Sequence, residues 1–237
     1  MKATADDTGM IRAEVDPRIK YPCYKSLDEF IDVERLKSLD GYVAERVRRH
    51  IAARQDSYFL NQHRLDSRAP YAPGVREIWL TRTAPGTPYD YLDLNKPELW
   101  RPTEAAREFS ELVDFLSTLP FKATGRMLII YDDSGAATPA HRDHLSTDVC
   151  HHFVWLRTNR RKPFYVLNHE TGERRYVESY SAWFDTVNQF HGSDGGEGLT
   201  FSIRVDGTFT DEFLRLIPRP ATNAASMPAL WACGAGR

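Results

Sequence analysis

The segment LTFSIRVDGTF, residues 199–209, sets Phe201, Ile203 and Val205 on one side of an extended chain and Ser202, Arg204 and Asp206 on the other. Alternation by two marks a strand with one buried face, and here the second face is charged. The apolar row is expected to pack on helices, so the charged row is expected to line a barrel interior. Working outward, the same texture recurs in GRMLIIYDD (125–133), HHFVWLRT (151–158), PFYVLNHE (163–170), RRYVESY (174–180) and SAWFDTVNQF (181–190). These are short β-branched and aromatic runs bounded by Gly, Asn, Asp or Pro. Six strands this closely spaced leave no room for crossover helices, which argues an antiparallel barrel or a double-sheet jelly roll.

The N-terminal half has a different period. A capping box, Ser26 with Glu29, is expected to open a helix through Phe30, Ile31 and Leu36 that Asp40-Gly41 interrupts. Val43, Val47 and Ile51 predict a second helix over 42–54, and Ala106, Phe109, Val113 and Leu116 a third over 104–119, stopped by Pro120. Between them, residues 69–100 form a Pro- and Tyr-rich loop region holding one strand, VREIWLTR (75–82). The fold class is therefore α+β with a mainly β core and packed N-terminal helices. The expected organisation is an arm (1–25), a single domain (26–217: helical and loop part 26–120, β core 121–217) and a tail (218–237).

Composition narrows the function. The 237 residues are 41% hydrophobic, and 31 basic against 33 acidic side chains leave a formal charge of −2. That balance offers no electrostatic case for nucleic acid or an acidic membrane as partner, and the basic run 157–162 reads as solvated surface. No stretch approaches the about 18 apolar residues that span a bilayer. Cys23, Cys150 and Cys233 are too few and too widely spaced for a disulfide framework or a zinc ribbon, which fits a reducing cytoplasm.

The chemistry concentrates in PAHRDHLSTDVCHHF (139–153). His141 and Asp143 are two apart, so an extended chain aims both to one side. Imidazole and carboxylate together suit a divalent first-row metal, with a third ligand from a distant strand. His191 ends a strand before a glycine and supplies that third position. Two histidines and one carboxylate on one face leave about three coordination positions open, and open positions mean chemistry rather than structure. An interior Arg204, 13 residues beyond His191, is costly unless it meets an anion, so a ligand bearing a carboxylate is expected near the metal.

His141-Arg142-Asp143, then His191, then Arg204 resembles the H-x-D…H…R pattern of the iron(II)- and 2-oxoglutarate-dependent oxygenases, across about residues 124–207. The PAHRDH run is most similar to the aspartyl/asparaginyl β-hydroxylase and cis-proline-hydroxylase-like branch. The resemblance implies a double-stranded β-helix in which His141, Asp143 and His191 hold iron(II). It implies 2-oxoglutarate and dioxygen as cosubstrates, with Arg204 gripping the far carboxylate and Ser202 adding a hydrogen bond. Succinate and carbon dioxide would leave as an unactivated C–H bond is hydroxylated. Related halogenases carry a small residue where Asp143 stands, so its presence argues for hydroxylation. A free amino acid or amino-acid-derived metabolite is the expected substrate. A peptide or protein side chain, a non-redox cupin-like isomerase or binding protein, and an interaction scaffold are the competing readings.

The remaining residues divide less cleanly. Arg157, His144, Asn188 and Arg64 are candidate substrate contacts, each with an ordinary alternative: a loop-end cation, the next surface histidine, a turn-forming asparagine, a plain loop. His151 and His152 fall on opposite faces of one strand, so at most one faces a cavity. Trp155 reads as core.

Overall fold

The computed structural model describes residues 4–5, 11–12, 24–53, 75–89, 93–143, 152–168, 171–186 and 189–215. The first two pairs, Thr4–Ala5 and Ile11–Arg12, form a two-rung antiparallel ladder. In chain order the elements that follow are β1 (Lys25–Ser26), α1 (Val33–Ser38), α2 (Asp40–Ala53), β2 (Val75–Trp79), β3 (Thr81–Thr83), β4 (Trp100–Pro102), α3 (Glu104–Glu108) and α4 (Ser110–Leu116). Then come β5 (Phe121–Asp132), β6 (Thr138–His141), β7 (Phe153–Leu156), β8 (Phe164–Leu167), β9 (Arg174–Tyr176), β10 (Ser181–Trp183), β11 (Phe190–Ser193), β12 (Thr200–Phe209) and α5 (Asp211–Leu214).

Two antiparallel sheets carry the architecture. The larger has the order β1-β10-β7-β12-β5-β2 and the smaller β9-β8-β11-β6. From β5 onward the chain crosses between them: larger, smaller, larger, smaller twice, larger, smaller, larger. That winding is a double-stranded β-helix. The segment 181–190 accounts for two strands rather than one, because the chain leaves β10 at Trp183 and re-enters the other sheet at Phe190. With β6 added, the β core has eight strands among the described residues where six were expected.

Strand β12 lies at the centre of the larger sheet. Ile203 pairs with Ile129 of β5 and Leu156 of β7, and Arg204 with Leu128 and Trp155. Its alternation is realised as expected: Ile203 and Val205 are fully buried in the core that includes Leu36, Val43, Val47, Phe109, Leu112 and Phe115 from the helices. Each such side chain contributes about 1.5–3 kcal/mol. The layer of helices therefore covers the outer face and commits the opposite face, with Arg204, to the space between the sheets.

The helical boundaries differ from expectation for identifiable reasons. Ser26 lies in β1, paired with Ala182, so it does not cap a helix. A single 3-10 turn, Asp28–Phe30, follows, and Asp32 caps α1 by accepting from the Arg35 amide at 2.9 Å. Asp40-Gly41 does not break the chain out of helix: it starts α2, while the Asp40 carboxylate binds Thr158, Asn159 and Arg161 of the β core. The helix expected over 104–119 splits at Phe109 (φ −101°, ψ 34°), whose fully buried ring fixes the bend. VREIWLTR likewise divides at buried Leu80, with β2 joining the larger sheet and β3 pairing with β4.

Candidate metal centre

His141 ends β6 and His191 lies directly opposite it on β11. Their rings stand 4.3 Å apart between centroids, tilted by 60°. Asp143 lies two residues beyond the strand end, where its amide donates to the Thr186 carbonyl at 2.9 Å and holds the loop against the β10–β11 turn. On that turn Gln189 donates its amide to the Asp185 carbonyl at 2.8 Å, and its side-chain oxygen accepts from the Asp185 amide at 3.3 Å.

Backbone carbonyls set the orientation of both imidazoles. His141 Nδ1 lies 2.8 Å from the Pro139 oxygen and His191 Nδ1 3.2 Å from the Gln189 oxygen. With Nδ1–H donated to these carbonyls, each Nε2 keeps its lone pair. Both Nε2 atoms then face the same carboxylate oxygen, Asp143 Oδ1, at 3.6 Å for His141 and 3.2 Å for His191. Ligand atoms of all three residues lie within 4.8 Å of one another. Two neutral nitrogens and an anionic oxygen converging from one side is a donor set that fits iron(II).

The electrostatics favour the metal-ready protonation state. Burial, reinforced by His191, lowers the His141 pKa, which keeps the ring neutral. Burial alone would raise Asp143; the Arg204 guanidinium, with the two histidines, holds it well below the usual carboxylate range. Arg204 Nη1 donates to Asp143 Oδ2 at 2.5 Å, and Arg204 Nε donates to Asp206 Oδ1 at 3.1 Å. Asp206 also accepts from Arg126 Nε at 2.9 Å, so a row of alternating charges, Arg126–Asp206–Arg204–Asp143, leads to the site. The Arg204 guanidinium lies over the Phe153 ring, 4.3 Å from its centroid.

His141, Asp143, His191, Arg126, Arg204 and Phe153 border a cavity of about 160 Å³ between the two sheets. Trp155, Phe164 and Phe184 give it aromatic walls; Thr138, Ser193 and Ser202 give it hydroxyls. Ser202 faces the cavity as its register demands. Trp155 belongs to the buried core, as expected, and also borders the cavity, stacked on Phe164 with centroids 4.8 Å apart.

The run 157–162, expected as solvated surface, is divided by the fold. Arg157 is only 4% exposed, and its guanidinium donates to the carbonyls of Val177 and Ser179. Lys162 also borders the cavity, 2.6 Å from Asp132 Oδ2, whereas Arg160 and Arg161 point outward to Glu178 and Asp40. Arg157 does stand just past the end of β7, where its amide donates to the Tyr180 carbonyl at 2.8 Å, but it is not a surface cation: its side chain turns inward. His152 stacks on Phe209 at 5.3 Å, away from the triad. His144, Asn188 and Arg64 lie outside the described residues, as do His151 and Cys150.

Arg126, Asp132, Lys162 and Glu77 were not anticipated as site residues. Arg126 and Asp132 carried a usable signal, since period-two alternation along β5 puts them on one face with Leu128 and Ile130. Lys162 and Glu77 carried none, because their side of the chain depends on which sheet each segment joins. Among the described residues no helix is long and apolar enough to cross a membrane.

No protein-family model matches the chain, and no curated protein sequence matches it. Among solved structures it is similar to a prolyl 4-hydroxylase of Pseudomonas putida, with TM-score 0.44 and 13% identity over 80% of this chain and 94% of that one. It is also similar to a Trichoplax adhaerens prolyl hydroxylase in complex with a hypoxia-inducible-factor peptide fragment (0.39, 11%, 73% and 80%). A third is an oxidoreductase of the 2OG-Fe(II) oxygenase family from Burkholderia pseudomallei (0.36, 12%, 61% and 74%).

Proposed function

We propose that this protein is an iron(II)- and 2-oxoglutarate-dependent dioxygenase that hydroxylates an unactivated C–H bond of a small molecule, a free amino acid or amino-acid-derived metabolite, in the cytoplasm. The observation that carries the reading is the convergence of His141 Nε2, His191 Nε2 and Asp143 Oδ1 at the wall of a cavity bordered, among the described residues, by four cations. His141, Asp143 and His191 would hold the metal. Bound iron(II) supplies dioxygen activation, with 2-oxoglutarate giving up two electrons as it loses carbon dioxide and becomes succinate.

The chain's own share is binding, orientation and dryness. The Pro139 and Gln189 carbonyls fix the histidine tautomers, and Arg204 fixes the rotation of the Asp143 carboxylate. The cations of the wall suit a dicarboxylate cosubstrate, and the aromatic walls exclude water from the reacting centre. A cavity of about 160 Å³ between the two sheets suits a small substrate.

The test is anaerobic addition of iron(II) and 2-oxoglutarate. The expected result is the visible charge-transfer absorption of a chelated 2-keto acid, lost in His191→Ala. No absorption from the wild-type protein overturns the dioxygenase reading and returns the non-redox cupin-like one. Succinate formation stimulated by free amino acids but not by peptides then assigns the substrate class; the opposite pattern assigns a peptide or protein side chain.

A further inference from the structure

We propose that Arg157, with Ser202 beside it, takes the far carboxylate of the dicarboxylate cosubstrate, and that Arg204 is instead a positioning residue for Asp143. The proposal deepens the dioxygenase reading and rests on it.

Four cations border the cavity among the described residues: Arg126, Arg157, Lys162 and Arg204. Three are already neutralised. Arg126 pairs with Asp206 at 2.9 Å, Lys162 with Asp132 at 2.6 Å, and Arg204 with both Asp143 at 2.5 Å and Asp206 at 3.0 Å. Arg157 differs. Among the described residues its guanidinium donates only to the Val177 and Ser179 carbonyls, and no carboxylate lies within ion-pair distance. The nearby Glu178 is held by Arg160 at the surface.

An arginine that is 4% exposed and has the Trp155 ring, 5.3 Å from its guanidinium carbon, but no carboxylate facing its charge is costly. Its pKa shows the cost: burial, with repulsion from Arg160 next, lowers it to about 10. The two backbone carbonyls fix the plane of the fork without satisfying its charge, which leaves a pre-set cation for a two-pronged contact with a carboxylate.

Register places this cation at the correct depth. Arg204 lies opposite Trp155 and Ile203 opposite Leu156, so continuing the ladder one step sets Ser202 beside Arg157. Ser202 is two residues from Arg204, roughly 6.6 Å along the strand. An extended five-carbon diacid sets its carboxyl carbons about 5 Å apart, so an anion chelated at the level of Arg204 reaches to within a hydrogen bond of the Ser202 and Arg157 level. Arg204, by contrast, sits at the level of the metal ligand, and turning it towards a cosubstrate would release the outer oxygen of Asp143.

The local charge agrees. Arg126, Arg157, Lys162 and Arg204 balance Glu77, Asp132, Asp143 and the buried Asp206 behind them. A divalent cation unbalances the site and a dianion restores it.

The experiment compares 2-oxoglutarate with 2-oxopentanoate, the same carbon chain without the far carboxylate. Both are titrated anaerobically into iron(II)-loaded protein, with charge-transfer absorption as the readout and manganese(II) affinity measured separately by EPR. Wild type should prefer 2-oxoglutarate by about 100-fold or more. In Arg157→Gln the preference should collapse to within about threefold while manganese(II) affinity holds. Arg157→Lys, which keeps a charge the site already accommodates, should lose about tenfold of the preference. In Arg204→Gln manganese(II) affinity should fall while the preference survives in the complex that forms. An unchanged preference in either Arg157 variant overturns the assignment, as does loss of preference with intact metal binding in Arg204→Gln or Lys162→Met. No absorption with either keto acid in wild type overturns the dioxygenase reading and this assignment with it.

Discussion

Arg204 and Asp143, 61 residues apart in sequence, meet at 2.5 Å through Nη1 and Oδ2, while the other oxygen of Asp143 faces His191 Nε2 at 3.2 Å. One carboxylate thus divides its two oxygens between a guanidinium and the metal-facing side. The arrangement locks the rotation of Asp143 and holds it ionised in a buried place.

Removing the guanidinium should therefore weaken the metal site before it touches any other step. Arg204→Gln is expected to bind manganese(II) about 10–100-fold less tightly, the range for loss of an outer partner of a metal ligand. EPR titration measures it, and wild-type affinity in the variant would show that Asp143 needs no such support.

Gly192 follows His191 and sits where strands β6 and β8 crowd β11. A Cβ there would lie 2.7 Å from the Thr138 carbonyl oxygen and 2.8 Å from the Tyr165 hydroxyl. Backbone cannot yield as a side chain can, so Gly192→Ala should push β11 off β6 and part the two histidines. Expected outcomes are a loss of about 1–3 kcal/mol in denaturant melts and a drop of tenfold or more in metal affinity.

Asp132 predicts an acid limb. Burial pushes its carboxyl up, but Lys162 and the hydroxyl and amide of Ser134 outweigh that and leave it below its ordinary 3.8. A depressed carboxyl contributes stability that is full above the unfolded value and lost as pH falls through the folded one. Wild-type stability should therefore decline below about pH 4. Asp132→Asn should be less stable at neutral pH by about 3 kcal/mol, with Lys162 left unpaired, and its profile should be flatter on the acid side. Denaturant melts across that range decide it.

Asp28 separates fold from site. Its carboxylate accepts from the Tyr180 amide, the Ser181 amide and the Ser181 hydroxyl, pinning the N-terminal turn to β10. Asp28→Ala should cost about 2 kcal/mol of stability. Manganese(II) affinity in the folded fraction should stay within twofold, because the bonds that orient His141, His191 and Asp143 come from Pro139, Gln189 and Arg204 and not from Asp28.

The β core and the triad were legible for the same reason. Alternation by two along 199–209 showed which face of β12 is charged, and the two-residue spacing of His141 and Asp143 needs only an extended chain to be productive. Where side chains compete for partners, local patterns misled. Ser26 and Glu29 have the form of a capping box, but Ser26 is taken into β1 by its pairing with Ala182. Asp40-Gly41 has the form of a break, but its carboxylate is bound by the 158–161 loop and α2 begins there.

By itself, the sequence determined periodicity: most of the core strands, which of their faces are apolar, and which residue types could serve as ligands. Only the tertiary structure decided pairing. Four cations come to one cavity from β5, from β12 and from either end of the 157–162 run, and which of them is neutralised depends on the carboxylates that other strands bring beside them. Charge compensation between distant segments is a property of strand order and register, and a linear pattern of residues does not contain it.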